Sequence, residues 1–231
     1  MHKLTQFRLC PLSRSIRLAL AELGIEVELI EERPWEQRPA FLAVNPAGEL
    51  PVLAIEDGPL LCGAYVISEY LAEQLEVQPD GEPRVQLFPG GREERAEVRR
   101  LVDWFHGKLN REVTRELLHE KVYARLTPGP GQAPDPDILR AIRANLRYHV
   151  SYVSHLAHQR RWLAGDEMSF ADFAAAAHVS SIDYLGEVAW ENHPVAKSWY
   201  QRMKSRPAFR SILADRFPGT PPPNAYADLD F

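Results

Sequence analysis

Only two cysteines, Cys10 and Cys62, occur in 231 residues. Their spacing matches no zinc motif and gives no disulfide framework, which fits a reducing compartment. Charge of one sign is not in excess either: 27 basic against 32 acidic residues leave a net charge of -5, which argues against a phosphate backbone as the main partner. The cluster Arg92, Arg95, Arg99 and Arg100 is interleaved with Glu93, Glu94 and Glu97 and reads as a solvated helix face. No uninterrupted apolar run reaches the roughly 18 residues of a membrane span, and Met1 to Phe7 has no apolar leader core. The expectation is a cytoplasmic protein with no membrane insertion and no nucleic-acid partner. No Walker motif, dinucleotide fingerprint or Ser-His-Asp pattern is present. His155 and His158 share a helix face, but no carboxylate sits at matching spacing and His149 lies on another face, so no metal is expected.

What is present is a core-forming chain, 45% hydrophobic, long enough for two modest domains. Leu4 to Leu9 reads as a strand. A helix then opens at Cys10-Pro11-Leu12-Ser13 and carries an apolar stripe of Ile16, Leu18, Ala19, Leu20 and Leu23 up to a stop at Gly24. A strand over Val27 to Glu31 follows, and two strands joined by a helix of this length imply a right-handed parallel βαβ unit. Pro51 to Ile55 and Pro59 to Leu61 flank Glu56-Asp57-Gly58 as a hairpin, and a helix over Val66 to Leu75 closes the unit. This βαβ-ββα order predicts an α/β thioredoxin-like domain over residues 1–78.

The prolines and glycines between Val77 and Gly91 mark a linker, residues 79–92. An all-α helical bundle domain, residues 93–217, is expected beyond it. Its long helices run over Glu93 to Leu126 and Asp135 to Trp162, around the Pro/Gly-rich loop Thr127 to Pro134. Ser169 and Asp172 form a capping box that starts a buried helix ending at Tyr184. Further helices fit His193 to Ser205 and Pro207 to Arg216. Residues 218–231, with Pro218 and Pro221-Pro222-Pro223, are expected to form an extended tail.

Five motifs in this order carry a resemblance. They are Cys-Pro-x-Ser at Cys10 to Ser13, the turn Asn45-Pro46-Ala47-Gly48-Glu49-Leu50-Pro51, the stretch Ile67 to Leu71, the box Ser169 to Asp172, and Arg206-Pro207-Ala208-Phe209. Over about residues 1–217 the chain resembles a glutathione S-transferase. The resemblance implies a cis Pro51 that turns the Leu50 backbone toward a peptide ligand, and a thiol-activating role at the start of the first helix for Cys10 or Ser13. It also places the family's acid-Ser grip for the γ-glutamyl group on Gly63 and Ala64, neither of which has a side chain able to pair with it. A charged head left without partners costs about 1–3 kcal/mol per lost bond or more. Glutathione is therefore expected to bind weakly or not at all, and Cys10, Ser13, Leu50, Pro51, Gly63 and Ala64 form a vestigial ligand site. An active transferase or glutathione peroxidase using Cys10 or Ser13 is the alternative.

These departures, with the Pro-rich exit and the ending Asp228-Leu229-Asp230-Phe231, resemble the transferase-like proteins of bacterial cell division that bind the tubulin-like polymer protein FtsZ. The implied function is a catalytically idle homodimeric adaptor, cytoplasmic and recruited to the division site, that binds FtsZ filaments and couples them to constriction. Trp35, an aromatic in a loop, and Glu120 and Arg125, at the end of the first long helix, are candidate partner-binding residues. The terminal Asp228, Leu229, Asp230 and Phe231 are candidates for FtsZ or for a second division protein such as FtsK.

Overall fold

The computed structural model describes residues 1–76, 85–127 and 133–230. The first domain runs β1 (His2–Gln6), α1 (Pro11–Glu22), β2 (Val27–Glu31), α2 (Pro39–Val44), β3 (Val52–Ala54), β4 (Leu60–Cys62) and α3 (Ala64–Glu76). The sheet order is β2-β1-β3-β4. β2 lies parallel to β1, while β3 and β4 follow antiparallel. This is the expected thioredoxin-like plan. One element goes beyond the sequence reading: the short helix α2, opened by Pro39 in its first turn and held by the single buried side chain of Phe41.

The second domain is helical. α4 (Arg92–Asp103), α5 (Arg115–Leu118) and α6 (Ala124–Leu126) are joined by π-helical stretches Trp104–Thr114 and His119–Tyr123, so residues 92–126 form one rod. The wider π turns re-aim successive side chains, a distortion common at functional surfaces. α7 (Pro136–Gln159), α8 (Phe170–Tyr184), α9 (Pro194–Lys204) and the short α10 (Arg210–Leu213) complete the bundle.

Every residue of α8 is buried. Its run Ala174 to Ala177 allows close approach of neighbours, and α8 packs on α1 across the domain boundary. The predicted capping box is present: the Ser169 amide donates to Asp172 Oδ2 (3.1 Å) and Ser169 Oγ accepts from the Ala171 amide (3.3 Å).

Two expectations need correction. Part of the linker lies in residues 77–84, outside the described residues, but its second half is packed: Leu87 and Phe88 are buried, the Phe170 amide donates to Leu87 O (2.8 Å), and the Arg99 guanidinium lies 4.9 Å from the Phe88 ring centre. The tail is not free. Phe217 and Tyr226 are buried, and the Tyr184 hydroxyl holds the chain between them by accepting from the Phe217 amide (2.7 Å) and donating to Thr220 O (2.9 Å). A turn of 3-10 helix, Asn224–Ala227, seats Tyr226 edge-on against Tyr184. Lys204 Nζ then donates to Asp228 O (2.5 Å). The restriction that prolines 221–223 impose ends with them, and the chain after Pro223 is free to turn back onto the bundle.

A polar chain also crosses between the domains. Ser15 Oγ donates to Leu12 O (2.8 Å) and meets His106 Nε2 (3.1 Å); His106 Nδ1 meets His178 Nε2 (3.1 Å); His178 Nδ1 meets Thr114 Oγ1 (2.7 Å). Burial pushes His106 down to about 3 and His178 well below the usual histidine range, so both rings are neutral. Each neutral ring carries one proton. Because the Ser15 hydroxyl is already committed as a donor, His106 donates from Nε2, His178 donates from Nε2 to His106, and Thr114 donates to His178.

Candidate functional site

The start of α1 places Cys10 at the N-cap and Ser13 in the first turn, beside the helix's positive end. The Cys10 amide donates to Phe7 O (2.9 Å), which closes the turn from β1 into α1. That position does not make a thiolate: burial pushes the Cys10 thiol up, with the opposing pull of the Ser13 hydroxyl and of the Ser13 and Leu12 amides the smaller effect. Ser13 is fully buried.

The second wall comes from the turn after α2. Asn45 accepts from the Ala47 amide (3.3 Å) and donates to Glu49 O (2.8 Å), shaping the bend that leads into a cis Leu50–Pro51 peptide. The Gly63 amide donates to Pro51 O (2.9 Å), bringing Leu50, Pro51, Gly63 and Ala64 together. Ala64 is buried; Gly63 sits at φ 92°, with open space where a Cβ would stand. No carboxylate or hydroxyl occupies either position.

Aromatic rings cluster close to Cys10. Trp35, the loop aromatic among the partner-binding candidates, is half-buried: its ring stacks on Tyr123 (4.4 Å between centres) and meets Phe7 edge-on (5.0 Å). Phe7 also contacts Tyr123 (5.7 Å) and Phe217 (5.4 Å). Tyr123 stands close enough to Cys10 for the thiol's charge to help burial hold its hydroxyl up. A strand end, a loop, the tip of the long helix and the root of the tail thus converge beside Cys10. Sequence reasoning missed Phe7, Tyr123 and Phe217 because their meeting is long-range.

The other candidate residues lie apart. Glu120 is engaged within the bundle, accepting from the Asp135 amide (2.8 Å), while Arg125 is exposed nearby. Lys121 pairs with Glu187, which Arg143 also holds (2.8 Å). Asp228 is tied through its carbonyl, and Leu229 and Asp230 project, Leu229 at 45% exposure. Phe231 lies outside the described residues.

Two family models match the chain, the glutathione S-transferase N-terminal domain over residues 9–74 and the C-terminal domain over residues 115–207. FtsZ-localized protein A of Caulobacter vibrioides is 46% identical over 231 residues, spanning 99% of this chain and 97% of that protein. The chain belongs to the glutathione S-transferase family. Within that family, a glutathione S-transferase of Sinorhizobium meliloti superposes over 100% of both chains with a TM-score of 0.93 at 48% identity. FzlA from C. crescentus superposes over 100% of this chain and 99% of its own with a TM-score of 0.91 at 44% identity. The transferase scaffold is therefore kept through the tail.

Among the described residues no group of three or more His, Cys, Asp or Glu side chains is placed to hold a metal ion, and no helix is long and apolar enough to cross a membrane.

Proposed function

We propose that this protein is a catalytically idle, homodimeric transferase-like adaptor that binds FtsZ filaments at the division site and couples them to constriction. The observation that carries the reading is the 46% identity to FtsZ-localized protein A across 99% of the chain. Three features support it: the thiol is held up by burial, Trp35 and Tyr123 stack on each other rather than standing open, and Gly63 and Ala64 offer nothing to a γ-glutamyl group. The partner surface on this reading is the tip of the long helix with Arg125 and Glu120, the adjoining Trp35, and the end Asp228 to Phe231, which is also available to a second division protein such as FtsK.

The experiment is co-sedimentation with polymerised FtsZ beside calorimetric titration with glutathione. Wild-type protein pellets with the polymer, and Arg125→Glu or Trp35→Ala weakens pelleting; loss of a central anchor costs about 2 kcal/mol or more. Failure of the wild-type to pellet sinks the adaptor. The alternative, a transferase or glutathione peroxidase using Cys10 or Ser13, rests on their place at the start of α1. It requires micromolar glutathione binding and turnover abolished by Cys10→Ala or Ser13→Ala.

A further inference from the structure

One buried hydroxyl ties the tail to the core. Tyr184, the last residue of α8, is fully buried, and its hydroxyl accepts from the Phe217 amide (2.7 Å) while donating to Thr220 O (2.9 Å). The Thr220 amide donates back to Phe217 O (3.2 Å), so the tail leaves the bundle through a closed turn. Further on, the Tyr226 ring stands edge-on to Tyr184 (5.2 Å between centres), and Lys204 holds Asp228 O (2.5 Å). Tyr184 thus meets the tail both at its root and at Tyr226.

The same root faces the first domain. Arg8 Nη1 donates to Arg216 O (2.8 Å), and the neighbouring Phe7 ring meets Phe217 (5.4 Å). Phe7 lies in turn edge-on to Trp35 (5.0 Å) and to Tyr123 (5.7 Å). No polar contact among the described residues fixes Trp35, because its buried indole N–H has no hydrogen-bond partner there. Its orientation rests on packing against Tyr123 and Phe7, and that of Phe7 rests in part on Phe217. Close packing transmits a shift of one ring to the next.

We propose that Tyr184 is a positioning residue for the partner surface around Trp35, and that seating of the tail at Tyr226 is coupled to the arrangement of Trp35 through Phe217 and Phe7. The two-state element is residues 217–228, seated on the bundle or released from it. Coupling of this kind is reciprocal. A partner that holds Trp35 in place also holds the tail down, and a partner that draws the end of the tail off Lys204 loosens the Trp35 surface. The coupling rests on the adaptor reading for the identity of the partner at Trp35.

Two readouts on the full chain test it, and only one of them needs FtsZ. Trp35 emission is taken as the difference between each protein and its own Trp35→Phe version, with the fold checked by circular dichroism. Tyr184→Phe, which keeps the buried ring and removes only the hydroxyl, shifts that emission to longer wavelength and opens it to acrylamide quenching. Tyr226→Ala does the same from the far side of the turn, whereas deleting residues 229–231 leaves the emission unchanged. In co-sedimentation, Tyr184→Phe weakens binding to polymerised FtsZ by about 2- to 30-fold. Adding Trp35→Ala to it costs less than the product of the two single losses, because both act through one surface. A Trp35 emission indifferent to Tyr184→Phe overturns the proposal, as do losses that simply multiply. If Tyr226→Ala does not fold, Tyr184→Phe carries the emission test. A wild-type that ignores FtsZ polymer sinks the adaptor reading, and the emission still decides the coupling.

Discussion

Asp172 is buried at the start of α8, where its carboxylate accepts from the Leu163 amide (3.1 Å), the Ser169 amide (3.1 Å) and Trp199 Nε1 (3.0 Å). Burial nevertheless dominates and raises its carboxyl to about 6. The folded value lies above the unfolded one, so the stability this group contributes is fully present below about pH 4 and is lost as pH rises through about 6. Asp172→Asn keeps Oδ1 for Leu163 and Trp199 but sets an amide N–H against the Ser169 N–H. Denaturant titrations should show a loss of about 1–3 kcal/mol at pH 7 and a flatter dependence of stability on pH between those limits. Gly63 carries a different residue-scale consequence. Its left-handed φ of 92° penalises any side chain, whatever the open space. Gly63→Glu with Ala64→Ser is expected to gain glutathione affinity over a wild-type that shows none at micromolar concentration by calorimetry. The same pair of substitutions should lower stability by about 1–3 kcal/mol.

The tail is the element whose reading changes most. Tyr226, 2% exposed, lies with its hydroxyl 3.3 Å from both Arg14 NH1 and Ile212 O, so it acts as a clasp over the bundle. Tyr226→Ala should lower the melting temperature on the order of 10 °C, whereas deleting residues 229–231 should leave it unshifted; equal effects in calorimetry would refute this division of the tail. The contrast shows where sequence is sufficient. The capping box was legible because both halves lie within four residues, and the β3–β4 hairpin because Glu56-Asp57-Gly58 specifies its turn locally. The stacking of Trp35 was not legible because its partner Tyr123 lies far along the chain. Arg14 was passed over because an arginine in a first helical turn ordinarily faces solvent; here it is fully buried, donating to Arg8 O (2.7 Å) and Ser180 Oγ (2.9 Å). The absent γ-glutamyl grip was readable only through the resemblance, since a glycine and an alanine announce no chemistry of their own.

The two domains are fastened as one molecule. Asp215, at the root of the tail, holds Arg17 with both oxygens (2.8 and 3.1 Å) and reaches Arg14 (3.4 Å), and Glu22 pairs with Arg206 from the same side. Asp215→Ala leaves two buried guanidinium groups short of an acceptor and should cost about 3–5 kcal/mol. Because these ties span both domains, calorimetry should record one transition for the wild-type rather than two. The histidine chain between Ser15 and Thr114 makes that fastening observable. Its hydrogen order runs in a single direction, so each ring is held as one tautomer, and both ring protons are engaged in hydrogen bonds while the domains stay closed. Such protons should appear in nuclear magnetic resonance spectra as two slowly exchanging imidazole signals, each tied to one nitrogen, and their exchange with deuterium would time how often the seam between the domains opens.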